Sequence, residues 1–258
     1  MKGTIITDHI GERELAIYLP PSYPDGAASF PVVYVHDGGD LFAEQADSSL
    51  RPAASLQEIE RKFASGELAE LIMVGIAPVD RIHEYTPWFA KALSERFADF
   101  GGRGAEYLAF IVEQVKPHID SRYKTNRRPD QTGIIGKSLG GLISLYAAYL
   151  YPGVFGKIGS ISGSFWYEGF ADYMREQKMA QTGLRLYLDV GSLEGEGKQT
   201  VQREMVARTK EAYAILAASG LNGKQLRLHV EEGGRHELSC FRSRFPKRCH
   251  GCFRNRRE

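Results

Sequence analysis

Cysteine is scarce in this 258-residue chain, and what there is crowds one end. Cys240, Cys249 and Cys252 all lie near the C-terminus, so the body of the protein has no disulfide framework, as expected of a reducing, cytoplasmic compartment. No window reaches the ~20 consecutive apolar residues of a membrane span. The N-terminus, MKGTIITDHIGERELAIYLP, lacks the apolar core of a secretion signal. Charge of one sign is also missing: 33 Lys and Arg face 32 Asp and Glu, a formal net charge of +1. No global field therefore directs the chain to nucleic acid or to a membrane surface. The lone C-x-x-C, CHGC at Cys249 to Cys252, offers two of the four ligands a closed zinc site needs, and no metal is expected. Internal repeats, low-complexity tracts and interdomain linkers are absent too.

What is present is a regular alternation. Apolar strand patterns cover 2–9 and 12–19 around Gly11, then 31–35, 71–76, 133–135, 155–161, 184–190 and 226–230. Helix patterns fill the spaces at 53–65, after Gly104, at 142–151 and from Met205. In the second of these, Leu108, Ile111, Val112, Val115 and Ile119 share one face of a 3.6-residue period. Strands alternating with helices predict an α/β fold, a mostly parallel sheet with helices on both faces. The length suits one large domain, taken here as residues 1–245.

The chain is organised around Gly136 to Gly141, GKSLGG, between the 133–135 strand and the 142–151 helix. G-x-S-x-G in that setting is the form of a nucleophile elbow, with Ser138 at the tip. Gly136 and Gly140 let backbone approach closely, and the N–H of Leu139 would face a developing oxyanion. An activated serine needs a base and an orienting acid, in the chain order Ser, Asp/Glu, His. Of seven histidines only His236 follows a strand on the far side of the elbow, behind two glycines. For the acid, Glu194 in the loop after 184–190 is preferred, with Asp189 and Glu196 as alternatives. DGG at Asp37 to Gly39 would supply the second oxyanion donor, the Gly39 N–H. Arg81, in the loop after 71–76, would reach the same edge to clamp a polar oxygen of a substrate, or else pair with Glu84. Trp166 would wall an apolar pocket or lie in the core.

These stretches together resemble the putative-esterase family of α/β-hydrolases, its siderophore-esterase branch above all. The resemblance rests on VVYVHDGGDLF (32–42), DRIHEYTPW (80–88), the run from 110 to 166 around the elbow, LDVGSLEGE (188–196) and EEGGRHE (231–237). It implies an α/β-hydrolase fold and a serine carboxylic-ester hydrolase acting on a small-molecule ester, without metal or organic cofactor. It implies Ser138 and His236 as nucleophile and base, Glu194 as the acid and Arg81 in the substrate pocket. An acyltransferase with the same triad and a catalytically silent binding protein are the alternatives. The likeness departs at the end. Phe241 stands where relatives carry Trp, and residues 246–258 read as a basic, disordered tail unable to bury a helix face.

Overall fold

The computed structural model describes residues 2–24, 29–40, 42, 53–95, 98–179 and 183–253. Strands β1 (Thr4–Ile10) and β2 (Arg13–Leu19) pair antiparallel around Gly11. Strand β3 (Val32–Val35) leads into the DGG turn, and helix α1 (Ala53–Ala64) precedes β4 (Ile72–Ile76). A one-turn helix α2 (Arg81–Glu84) and a ribbon of β5 (Phe89–Ala90) and β6 (Phe100–Gly101) follow. Then come α3 (Gly104–Phe110), a π-helical turn at Ile111–Val115 and α4 (Lys116–Arg122). The rest alternates: β7 (Thr132–Lys137), α5 (Leu139–Leu150), β8 (Lys157–Ile161), α6 (Phe170–Glu176), β9 (Arg185–Gly191), α7 (Met205–Ala218), β10 (Leu226–Glu231) and α8 (Leu238–Phe253).

Among the described residues, eight strands form one sheet in the order β1-β2-β4-β3-β7-β8-β9-β10. Only the β1–β2 and β2–β4 pairings are antiparallel; every pairing from β4 to β10 is parallel. Parallel strands buried on both faces read as continuous apolar runs, and VVYV and IMVGI are such runs. Their alternation divides the core. Val32, Tyr34, Ile72, Val74 and Ile134 join a cluster under α3–α4, α5 and α7. Val33, Val35, Met73 and Ile135 join another with Leu56, Ile59 and Phe63 of α1 and Phe241, Phe245 and Cys249 of α8.

The expected face of the 104–122 segment is nearly as observed. Leu108, Ile111, Val115 and Ile119 are fully buried, while Val112 is only half-buried, because the π turn shifts the helical register there. No helix of the described residues is long and apolar enough to cross a membrane.

The C-terminus differs from the sequence reading. Residues 246–253 continue α8 instead of leaving as a tail, with Pro246 inside the helix. Phe241, Phe245 and Cys249 recur at four-residue steps and bury against the sheet. Arg242 and Arg244, just before residues 246–253, are buried as well. Residues 254–258 lie outside the described residues.

Candidate active site

β7 delivers Ser138 to the carboxyl edge of the sheet, and α5 starts at the next residue. Ser138 has φ 56° and ψ −123°, a conformation rarely held by a residue with a Cβ. Backbone hydrogen bonds hold it there, among them the following. Its N–H donates to the Ile161 carbonyl at 2.9 Å, and its carbonyl accepts from Gly141 N–H at 3.0 Å and Ser164 N–H at 3.1 Å. A Cβ on Gly136 would sit 2.6 Å from the Gly140 carbonyl carbon, and one on Gly141 would sit 2.6 Å from Ser160 Oγ. The tightest approach is thus at Gly136 and Gly141, whereas Gly140 clears its nearest neighbour by 3.3 Å.

The histidine and the acid arrive on adjacent loops. Past β9 and β10 the backbones of Gly191 and Gly234 touch: a Cβ on Gly191 would lie 2.2 Å from the Gly234 carbonyl oxygen. The Leu193 N–H donates to that same oxygen at 3.0 Å. Only glycine permits this contact, and it brings Glu194 beside His236. The outcome is a chain of hydrogen bonds. Ser138 Oγ lies 3.1 Å from His236 Nε2, and His236 Nδ1 lies 2.8 Å from Glu194 Oε2. The Ser138 residue is half-buried, the His236 side chain is 29% exposed, and the Glu194 side chain is 0% exposed. Phe241, at the position where a Trp was expected, meets the His236 ring edge-on at 4.9 Å between centroids.

Glu194 is held on every side. Its Oε1 accepts from Gly191 N–H at 2.8 Å, Ser162 Oγ at 2.5 Å and Arg244 Nη2 at 3.0 Å. Burial alone would raise this carboxyl, but the hydrogen bonds from His236, Ser162 and Gly191 outweigh it and hold it below the ordinary range. Asp189, the alternative acid, accepts from Arg244 Nη1 at 2.8 Å. Glu196 turns outward to Arg235 at 2.9 Å.

The DGG turn forms the opposite wall. Asp37, Gly38 and Gly39 have φ of 62°, 65° and 77°. The Gly39 N–H donates within its own turn to the His36 carbonyl at 3.4 Å, a long bond. The Leu139 N–H opens α5 and so has no partner within the helix. Arg81 does not pair with Glu84, which is bound by Arg13 at 2.6 Å. It donates instead to Asp37, Nε to Oδ1 at 2.6 Å and Nη2 to Oδ2 at 3.2 Å, with its side chain 32% exposed. Lys137 bridges Asp37 at 2.7 Å and Asp40 at 3.0 Å. Burial would raise Asp37, but Arg81 and Lys137 hold it below its usual value. Behind the turn, His36 Nδ1 meets Tyr107 Oη at 2.8 Å, and burial pushes its pKa down to about 3.

Trp166 is buried against Phe100 and edges a cavity of about 430 Å³. The cavity is mixed rather than apolar, because Lys91, Arg175 and Arg208 share its wall. The sequence reading missed Ser162, Ser164 and Arg244. Ser164 Oγ stands 3.3 Å from Ser138 Oγ. Neither serine sits in a distinctive pattern, and Arg244 was hidden among the basic residues of the chain end.

Three comparisons bear on this geometry. The Bacillus subtilis protein YbbA is 42% identical over 245 residues, 95% of this chain and 94% of that one. The iron(III) enterobactin esterase of Escherichia coli K12 is 26% identical over 147 residues, 54% of this chain but only 34% of the enzyme. The crystal structure of the enterobactin esterase FES from Shigella flexneri superposes with a TM-score of 0.74 at 19% identity, covering 98% of this chain and 58% of that one. The chain thus shares the fold of the Shigella enzyme, and it spans 58% of that chain and 34% of the Escherichia coli esterase. The family model described as "Putative esterase" matches residues 9–250, and to that family this chain belongs.

Proposed function

We propose that the protein is a serine ester hydrolase working through an acyl-enzyme on Ser138. The observation that carries this is the series Ser138 Oγ, His236 and Glu194, at 3.1 Å and 2.8 Å. In the reaction, Ser138 Oγ adds to the ester carbonyl carbon while His236 Nε2 takes the hydroxyl proton. The carbonyl oxygen becomes an oxyanion and accepts from the Leu139 N–H and, once its long bond to His36 is released, from the Gly39 N–H. The tetrahedral species collapses, the C–O bond to the leaving alcohol breaks, and His236 returns the proton to that oxygen. Water, deprotonated by His236, then releases the acid and restores Ser138. Glu194, buried and ionised, keeps Nδ1 protonated and stabilises the imidazolium.

Arg81 is engaged by Asp37 yet partly exposed, so in this reading it offers the substrate a fixed cation beside the DGG turn. Relatives named as siderophore esterases make a polyester siderophore the first natural substrate to test. Ser138→Ala is expected to lower turnover of p-nitrophenyl acetate by at least about 10⁴-fold with an unchanged circular-dichroism spectrum. Wild-type turnover in that variant, or a fluorophosphonate probe that labels another residue, would overturn the assignment.

A further inference from the structure

Arg244 is the largest fully buried side chain of the described residues, and the relay itself gives it no task. A guanidinium with no exposed surface is unusual, and its partners are specific. Nη1 donates to Asp189 Oδ1 at 2.8 Å. Nη2 donates to Ser162 Oγ at 2.9 Å and Glu194 Oε1 at 3.0 Å. Nε donates to the Cys240 carbonyl at 3.2 Å. One planar fork therefore spans two carboxylates that would otherwise face each other as buried like charges. Ser162, which shares the fork, has φ 51°, as expected of a residue held by its surroundings. Phe241 lies between the two side chains that bind Glu194: it meets the His236 ring edge-on, and the Arg244 guanidinium lies 5.5 Å from its centroid.

We infer that Arg244 is a positioning residue for hydrolysis: by binding Glu194 Oε1 while neutralising Asp189, it keeps Glu194 Oε2 aimed at His236 Nδ1. It touches neither substrate nor reacting atoms. It acts through Glu194, from a helix that would otherwise serve only as cover for the sheet. The inference rests on the triad proposed above.

Two variants separate positioning from plain charge balance. Arg244→Met alone leaves Asp189 and Glu194 without their cation and is expected to lower the melting temperature as well as activity. Arg244→Met combined with Asp189→Asn removes both the cation and the competing charge, so the melting temperature should return toward wild type. Its kcat on p-nitrophenyl acetate should nevertheless stay roughly 10- to 10²-fold low with KM within about twofold, because the acid keeps only the Gly191 and Ser162 hydrogen bonds and loses the rigid fork. The downfield proton resonance of the His236–Glu194 hydrogen bond should weaken in parallel. Arg244→Lys, with one cation but no fork, should fall between. Full recovery of kcat in the stable double variant would overturn the inference and leave Arg244 as a structural counter-ion. Ser138→Ala, run beside it, tells the two failures apart: if that variant retains hydrolysis the triad itself is wrong, and if it is dead while the double variant is fully active only the role of Arg244 falls.

Discussion

Ser138 holds a backbone conformation that costs a residue of its kind on the order of 1–3 kcal/mol. It persists because neighbouring backbone has no other place to go, and the glycines around it are where that becomes testable. A Cβ on Gly141 would sit 2.6 Å from Ser160 Oγ and 2.9 Å from the Gly163 Cα. Gly141→Ala is therefore expected to destabilise the protein by about 1–3 kcal/mol through overpacking. Gly140→Ala meets His36 Cβ at 3.3 Å and should be milder. Chemical denaturation of both variants checks this, and the reverse ranking would contradict the packing described. G-x-S-x-G pointed at Gly136 and Gly140. That Gly141 is sterically obligatory depended on β8 and the loop after it, which no local pattern contains.

Helix α8 carries the largest departure from the sequence. Leu238, Phe241, Phe245 and Cys249 lie at 3.6-residue spacing, so the apolar face was there to be read. Basic residues between them and Pro246 within them hid it. Pro246 has no N–H for the Arg242 carbonyl, a defect an isolated helix would not tolerate. Here Phe245, fully buried and stacked 6.5 Å from Phe42, compensates through packing. Phe245→Ala is expected to cost about 3–5 kcal/mol, read as a lower denaturation midpoint. A loss below about 1 kcal/mol would mean that α8 is not docked as described. The same docking carries Arg244 to Glu194, so an element that reads as an afterthought reaches the candidate active site.

The molecule as a whole should be acid-sensitive, and the sign follows from its buried groups. His36 is held at about 3, against 6.5 when free. Its unfolded form takes up a proton as pH falls below 6.5, while the native form does not until about 3, so its contribution is full above 6.5 and is lost on the way down. At pH 5 that loss is about 2 kcal/mol. Asp37 and Glu194, both held below their ordinary values, add further losses once pH passes below the normal carboxylate range. Asp40, raised by burial, acts in the opposite sense. Urea denaturation at pH 7, 6 and 5 should show a falling midpoint in the wild type and a flatter one in His36→Gln. Equal slopes would remove His36 from the account.

Apolar runs, the helical face from Leu108 to Ile119, the elbow and the two glycines before His236 are local patterns. They specify strands, helices and sharp turns through sterics and burial, and they were sufficient for the α/β architecture and for naming Ser138, His236 and Glu194, the three side chains that the fold brings within hydrogen-bond distance. Two things lay beyond them: the pairing of Arg81 with Asp37, and the burial of Arg244 between Asp189 and Glu194. Each depends on which charges share a dehydrated space after distant loops and α8 have packed. Linear order carries no such information, because the energy of a buried charge is set by neighbours that only the folded chain assembles.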